Sequence, residues 1–203
     1  MIWSALYPFV LPSVIGCPDP TLDLYLRQAA IEFARRTLCD CRDLDPLTAN
    51  GSDTHFELDL PLQTQAIKLR SVSRNGLNLP LVDTLHGQQL VRDQSTATFA
   101  YTTDKRTLEL YPLCTAGDLI GVNAALAPSQ DASSLDGEVY GPYIHAIASG
   151  ALAALQMMPG QSWSNPQLAM ANRTLFLQSS SSTAMHFARG QSSAKLRSFK
   201  SYL

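Results

Sequence analysis

The side chains that could do chemistry in this chain are its cysteines and histidines, and their spacing favours no familiar site. Cys39 and Cys41 are separated by one residue, whereas zinc sites use paired C-x-x-C spacing, and Cys17 and Cys114 stand alone. The histidines are far apart and have no companion at ligand spacing; they are His55, His86, His145 and His186. We therefore expect reduced, mostly buried thiols and no bound metal.

The sequence motifs of common enzymes are also missing. The chain has no Walker lysine loop, no G-x-S-x-G turn, no H-E-x-x-H pair and no dinucleotide-binding glycine motif. This pattern predicts a protein that is not an enzyme, with no catalytic residue and no cofactor. An enzyme whose site is assembled from residues distant in sequence remains an open alternative.

The composition favours a globular protein that meets other proteins. The chain of 203 residues is 45% hydrophobic and only 16% charged, so it can bury a core and has few charges for its surface. A sparsely charged surface indicates protein contacts. The net charge of -2 lacks the basic footprint of a nucleic-acid-binding protein. Because no apolar run approaches the roughly 20 residues of a membrane span, we expect no membrane partner.

Residues 1–18 are predicted to form an N-terminal arm, extended by its prolines, that packs on a helical surface. An alternative starts from Val14-Ile15-Gly16-Cys17, which has the form of a lipoprotein cleavage site. It makes the chain an exported bacterial lipoprotein anchored through Cys17. Against it, residues 1–16 contain no Lys or Arg, and prolines interrupt the apolar stretch that an export signal needs.

The rest of the chain changes from helical to strand periodicity and back. Asp19-Pro20 begins a first helix, residues 19–40, whose apolar residues repeat at helical spacing. Residues 41–128 alternate polar and apolar side chains and contain the hairpin signal Asn75-Gly76, which predicts an antiparallel β-domain. Residues 129–190 predict two C-terminal antiparallel helices. The predicted fold class is therefore α+β, a helical bundle with an inserted antiparallel β-sheet or small β-sandwich.

The two C-terminal helices meet at a tight polar corner. Pro159-Gly160 ends one helix, because proline cannot continue it and glycine tolerates the left-handed backbone that closes it. Ser164 or Asn165 can cap the next helix, with a proline in its first turn. We expect the tryptophan of this corner to fix the angle between the helices. The predicted corner-packing residues are Pro159, Trp163 and Pro166.

Two segments beyond the corner depart from an ordinary helix. The run from Ser179 to Thr183 is a poor helix interior, so we expect the helix to fray or break there, or its serines to face a neighbouring subunit. Residues 191–203 carry three cations, no acid and several apolar anchors. Such a segment is typical either of a disordered terminus or of an arm that docks on a partner.

Taken in order, the chain has an arm ending in Gly16-Cys17-Pro18-Asp19-Pro20, a helix with Ala29-Ala30-Ile31-Glu32-Phe33, an antiparallel sheet, a helix with Gly150-Ala151-Leu152, and the corner from Met158 to Pro166. This order resembles the head-to-tail adaptor (connector) proteins of tailed bacteriophages over nearly the whole chain. The similarity is most specific in the aliphatic helix around Phe33 and at the Trp163 corner. It does not explain the serine run.

The resemblance implies a structural virion protein of the neck, the head-tail interface, made in the host cytoplasm. Such adaptors form a homo-oligomeric ring, dodecameric in the family, beneath the portal protein. They extend the DNA channel, through which DNA passes without sequence recognition, and provide the platform to which a downstream tail or nozzle protein attaches. Their C-terminal segment docks on the portal. Carried onto this sequence, that portal docking arm consists of Lys195, Leu196, Arg197, Phe199, Lys200, Tyr202 and Leu203.

Overall fold

The structure, a computed structural model that describes residues 1–51, 53–93 and 98–189, divides into two compact units. The first unit contains Met1–Cys39 and the chain from Pro128 onward, and the second contains Asp40–Ala127. Each unit buries its own set of apolar side chains.

The first unit begins with short helical turns. A 3-10 turn at Trp3–Leu6, helix α1 at Tyr7–Val10 and a second 3-10 turn at Leu11–Ser13 follow one another directly. The prediction of an extended arm is wrong, because Pro8 and Pro12 each lie in the first turn of a helical stretch, where a missing N–H costs nothing. The segment is held in the core of the unit by buried side chains, those of Trp3, Leu6, Val10 and Val14.

Helix α2 spans Asp19–Thr37, close to the predicted first helix. Leu38, whose φ is 51°, ends it in left-handed backbone, and the Leu38 N–H donates to the carbonyl of Ala34. The buried residues recur at helical spacing along one face and include Leu22, Leu26, Ala29, Ala30 and Phe33.

The second unit contains two separate sheets among its described residues. The larger sheet has the strand order β1-β8-β4-β5, and β2 also pairs with β8. Its strands are β1 Asp40–Asp43, β2 Leu47–Thr48, β4 Thr64–Arg74, β5 Leu77–Leu79 and β8 Leu119–Pro128. The smaller is antiparallel with the order β3-β7-β6; its strands are β3 His55–Glu57, β6 Phe99–Thr102 and β7 Thr107–Tyr111.

The hairpin predicted at Asn75-Gly76 is present, and a second hairpin joins β6 to β7. Strands β4 and β5 are joined at Asn75-Gly76, where φ is 52° and 80°, the positive values that a tight two-residue hairpin turn needs. Strands β6 and β7 pair in register around a turn in which the Asp104 carboxylate accepts backbone hydrogen bonds. Helix α3, Thr84–Arg92, was not predicted. It packs closely against strand β6, and a Cβ at Gly87 would lie 2.7 Å from the ring of Tyr101.

The chain completes the first unit with α4 at Gly137–Tyr140, a 3-10 turn at Gly141–Tyr143, α5 at Ile144–Leu155 and α6 at Pro166–Arg189. Helices α2, α5 and α6 pack against one another in pairs. Helix α6 runs without a break through the serines. The buried Ser180 hydroxyl is satisfied within the helix, because it donates to the carbonyl of Phe176 at 2.7 Å. The prediction of fraying at this run is therefore wrong.

The predicted fold class is also wrong. The chain is not a helical bundle with an inserted β-sheet or small β-sandwich; it is an α+β protein with two sheets, roughly 44% helix and 25% strand. Helical turns replace the extended arm. In sequence order, α3 follows β5 of the larger sheet and precedes β6 of the smaller sheet. Alternating side chains identify a strand but not its partners, so residues 41–128 could not be divided between two sheets from their pattern.

Candidate functional site

The predicted portal docking arm, from Lys195 to Leu203, lies outside the described residues. Its role stays a prediction. The described part of the first unit carries two features with specific geometry, the corner between α5 and α6 and a pocket beside it.

Gln156, immediately after α5, organises the corner. It is 1% exposed. Its backbone carbonyl accepts a hydrogen bond from the Asn165 N–H at 2.9 Å and another from the Ser164 hydroxyl at 3.4 Å. Its side-chain carbonyl accepts from the Asn172 amide at 2.9 Å, which ties the end of α5 to the second turn of α6. No sequence signal pointed to this residue, because a glutamine in a polar turn is ordinarily solvent-exposed.

The predicted corner-packing residues lie in this loop and at the start of α6. Trp163 is half-buried and its indole nitrogen is shielded from solvent, while Pro159 and Pro166 are exposed. Asn165, one of the two predicted caps, accepts a hydrogen bond from the Leu168 N–H at 3.2 Å. That Trp163 fixes the angle between the helices stays a prediction.

The three long helices approach one another closely at Gly150 of α5. A Cβ built there would lie 2.7 Å from the Phe176 ring and 3.1 Å from the Cβ of Ala29. Only a residue without a side chain fits between α2 and α6 at this point. Gly150 belongs to a stripe of small residues in the sequence, with Ala146, Ser149 and Ala153, which predicts such an approach.

A pocket of about 330 Å³ opens where α2, α5 and α6 meet, and we name it the helix pocket. Its lining combines small side chains with the thioethers of Met157 and Met170, which are 57% and 69% exposed. Methionine is flexible and adapts to the shape of an apolar partner. Further lining residues are Tyr25, Gln28, Ala153, Ala154 and Ala169.

The charged rim of the helix pocket is formed by Glu32 and Arg173. The Arg173 guanidinium donates to both Glu32 oxygens, at 2.8 and 2.9 Å, and Arg36 donates to the same carboxylate at 2.8 Å. These hydrogen bonds lower the pKa of Glu32, and the bond from Arg173 has the largest effect. The partial burial of Glu32 opposes this by raising its pKa. The Arg173 guanidinium also lies 5.4 Å from the centroid of the Phe176 ring, within cation-π range.

The cysteines and histidines lie apart from this pocket. The cysteines form no disulfide with one another, and burial raises the pKa of Cys17 and Cys114. Within residues 1–51, 53–93 and 98–189, no group of three or more His, Cys, Asp or Glu side chains could hold a metal ion. None of the helices in those ranges is long and apolar enough to cross a membrane.

One histidine has a carboxylate neighbour, in the three-stranded sheet of the second unit. The His55 Nδ1 lies 3.5 Å from Glu109, and the same carboxylate accepts a hydrogen bond from the Tyr101 hydroxyl. Burial, followed by this hydrogen bond, raises the pKa of Tyr101 to about 12. The tyrosine therefore stays protonated and acts as a donor that links strands β6 and β7.

Comparison with protein families and with curated proteins identifies no relative of this chain. No family model matches it, and no curated protein matches its sequence significantly.

Proposed function

We propose that this protein is a structural head-to-tail adaptor of a tailed bacteriophage. In this role it forms a ring under the portal, extends the DNA channel and offers the platform to which the tail attaches. The order of the segments along the chain supports the proposal. The structural observation that carries it is the presence of a recessed apolar pocket and of protruding apolar side chains at other places on the same chain.

A ring needs two different complementary surfaces on every subunit. Its contact is heterologous, so a recess on one subunit receives a protrusion of the next, and the contact repeats until the ring closes. The helix pocket supplies a recess. Candidate protrusions are large apolar residues that are at least 74% exposed, namely Ile15, Leu62, Leu77 and Leu85. Isolated exposed hydrophobic residues are ordinary, but a matching pocket gives them a place to bind.

The lipoprotein alternative receives no comparable support. It requires cleavage before Cys17, which would remove residues 1–16. That segment contributes four side chains that are 3% exposed or less to the core of the first unit, those of Trp3, Leu6, Val10 and Val14. Cys17 itself is 6% exposed.

Binding to the portal protein encoded in the same genome tests the proposal. We expect the full-length chain to bind portal rings in a pull-down, and a chain lacking residues 191–203 to remain folded by circular dichroism but to lose binding. A full-length chain that does not bind the portal overturns the adaptor assignment. If the truncated chain binds without loss, the docking role of Lys195, Leu196, Phe199 and their neighbours is overturned.

A further inference from the structure

We infer that the helix pocket binds an aliphatic carboxylate, whose chain fills the pocket and whose charged head is held by Arg173 and Arg36. The inference goes beyond the adaptor function and does not depend on it, because every group that carries it belongs to the first unit. Three observations support it: the small side chains of the pocket walls, the excess of cations on the surrounding helices and the remaining hydrogen-bond donors of the two guanidinium groups.

Small side chains from all three long helices form the walls of the pocket. Because these side chains are short, the space between the helices stays open, with a volume of about 330 Å³. This volume lies within the range of small-molecule pockets, roughly 300–1,000 Å³. The small residues are Ala29 of α2, Gly150, Ala153 and Ala154 of α5, and Ala169 of α6.

The walls match the shape and polarity of an aliphatic chain. They offer methyl groups, the flexible thioethers of Met157 and Met170, and one aromatic ring, that of Tyr25. An aliphatic chain that enters this space leaves water and gains free energy in proportion to the apolar area that it buries. The pocket therefore accounts for the apolar part of the ligand.

The helices around the pocket carry more cations than acids. Residues 144–189, which supply α5, the corner and α6, contain two arginines, no lysine and no Asp or Glu. On α2, the carboxylate of Glu32 lines the pocket, and Arg35 and Arg36 lie within the next turn. Because this one carboxylate binds both Arg173 and Arg36, the rim keeps a net positive charge. Such a rim attracts an anionic head and opposes a cationic one.

The other acids of α2 contact the N-terminal segment instead of the pocket. The Tyr7 hydroxyl donates to the Asp23 carboxylate at 2.9 Å and to the Asp19 backbone carbonyl at 3.3 Å. Among the described residues, Glu32 is the only acid that lines the helix pocket. The positive charge of the rim is therefore not cancelled by a second carboxylate in the lining.

Both guanidinium groups keep hydrogen-bond donors after they bind Glu32. A guanidinium carries five N–H donors. Arg173 binds the two Glu32 oxygens through Nη1 and Nη2, and Arg36 approaches one of them through Nε and Nη2. Each arginine side chain is 43% exposed, so a ligand can reach it. Arginine binds carboxylates through a planar fork of donors, which makes a carboxylate the best-matched head group.

Calorimetric titration of the full-length protein with four compounds tests the inference. Octanoate supplies the chain and the carboxylate, octanol the chain alone, octylammonium the chain with a cationic head, and butanoate the carboxylate with a short chain. We expect octanoate to bind saturably at neutral pH, one per chain, and the other three to bind at least about tenfold more weakly. The portal is left out, because a neighbouring copy in the same recess would compete. Octanoate that does not bind, or binds no more tightly than octanol, overturns the inference.

Two variants with matched controls locate the ligand, after circular dichroism has shown that all four keep the fold. Ala154→Trp should abolish octanoate binding, because Ala154 lines the pocket and an indole would fill it. Gln178→Trp, exposed elsewhere on α6, should bind octanoate as the wild type does. If Ala154→Trp also binds octanoate as tightly as the wild type, the assignment of the pocket is overturned.

Arg36→Gln separates the charged head from the chain. It should weaken octanoate binding by about tenfold and leave octanol binding unchanged, because it removes donors at the rim and keeps the apolar walls. Arg92→Gln, at an exposed position of α3 in the second unit, is the control and should change neither affinity. An unchanged octanoate affinity in Arg36→Gln overturns the assigned contact with the head group.

Discussion

The guanidinium of Arg173 donates two hydrogen bonds to the carboxylate of Glu32, at 2.8 and 2.9 Å, across 141 residues of sequence. The pair joins α6 to α2 at the rim of the helix pocket. Arg36, one turn after Glu32 on α2, binds the same carboxylate. One side of the helix pocket is therefore formed by a direct contact between the first and last long helices of the unit.

Replacing Glu32 by Gln should lower the free energy of unfolding by roughly 0.5–1 kcal/mol at neutral pH. The loss is modest because the Glu32 and Arg173 side chains are 35% and 43% exposed and water screens their interaction. The pKa of Glu32 is lowered in the folded state from an ordinary value of 4.5. Its stabilising effect is therefore complete above that value and disappears as the pH falls through the folded-state pKa.

Urea unfolding of the wild type and of Glu32→Gln at pH 7, 5 and 3 measures this dependence. The difference between them should be largest at pH 7 and smallest at pH 3. Glu57→Gln, at an exposed position of β3, is the matched control and should change stability little at any of these values. A Glu32→Gln difference that is unchanged at pH 3 would contradict the assigned ion pair.

Gly150→Ala should destabilise the protein, although alanine is about 1 kcal/mol better than glycine in a helix. The added Cβ would lie 2.7 Å from the Phe176 ring, and overpacking of this kind typically costs about 1–3 kcal/mol. We expect a net loss of about 1 kcal/mol, measured by urea unfolding. Gly141→Ala is the control, because its Cβ meets nothing within 4 Å. Stabilisation by Gly150→Ala would show that α5 and α6 do not approach as described.

Gln156→Met should loosen the corner between α5 and α6. Methionine matches the length of the side chain but leaves the Asn172 amide without its partner, at a cost of about 1–2 kcal/mol. Backbone hydrogen bonds to the Gln156 carbonyl should survive, so the protein should still unfold cooperatively. Chemical denaturation measures the change, with the exposed Gln161→Met as the control. Equal stability of the two variants would exclude an important role for this amide pair.

The local elements could be predicted from the sequence where the signals act over a few residues. Asp19-Pro20 begins α2, Asn75-Gly76 forms the hairpin turn, and Asn165 caps α6. The partition of the strands into two sheets could not be predicted, because a strand pattern does not specify its neighbours. The hydrogen bonds of Gln156 and the Glu32–Arg173 ion pair could not be predicted either. They join residues far apart in sequence and depend on how the helices pack in three dimensions.

Deleting residues 1–16 should prevent stable folding, because Trp3, Leu6 and Val10 would be lost from the core of the first unit. The Trp3 indole also donates to the Ala132 carbonyl at 2.8 Å. Soluble yield and thermal unfolding compare this deletion with a chain lacking residues 191–203, which should fold. A chain beginning at Cys17 that unfolds as cooperatively as the full-length protein would instead favour the lipoprotein alternative, and intact mass of cell-made protein would then reveal lipidation.

Negative-stain imaging of portal rings with and without the full-length protein tests the adaptor assignment most directly. We predict an additional annular layer at one end of the portal, with a central channel continuous with that of the portal. Portal rings that show no added layer at saturating concentrations of the folded protein would contradict the assignment.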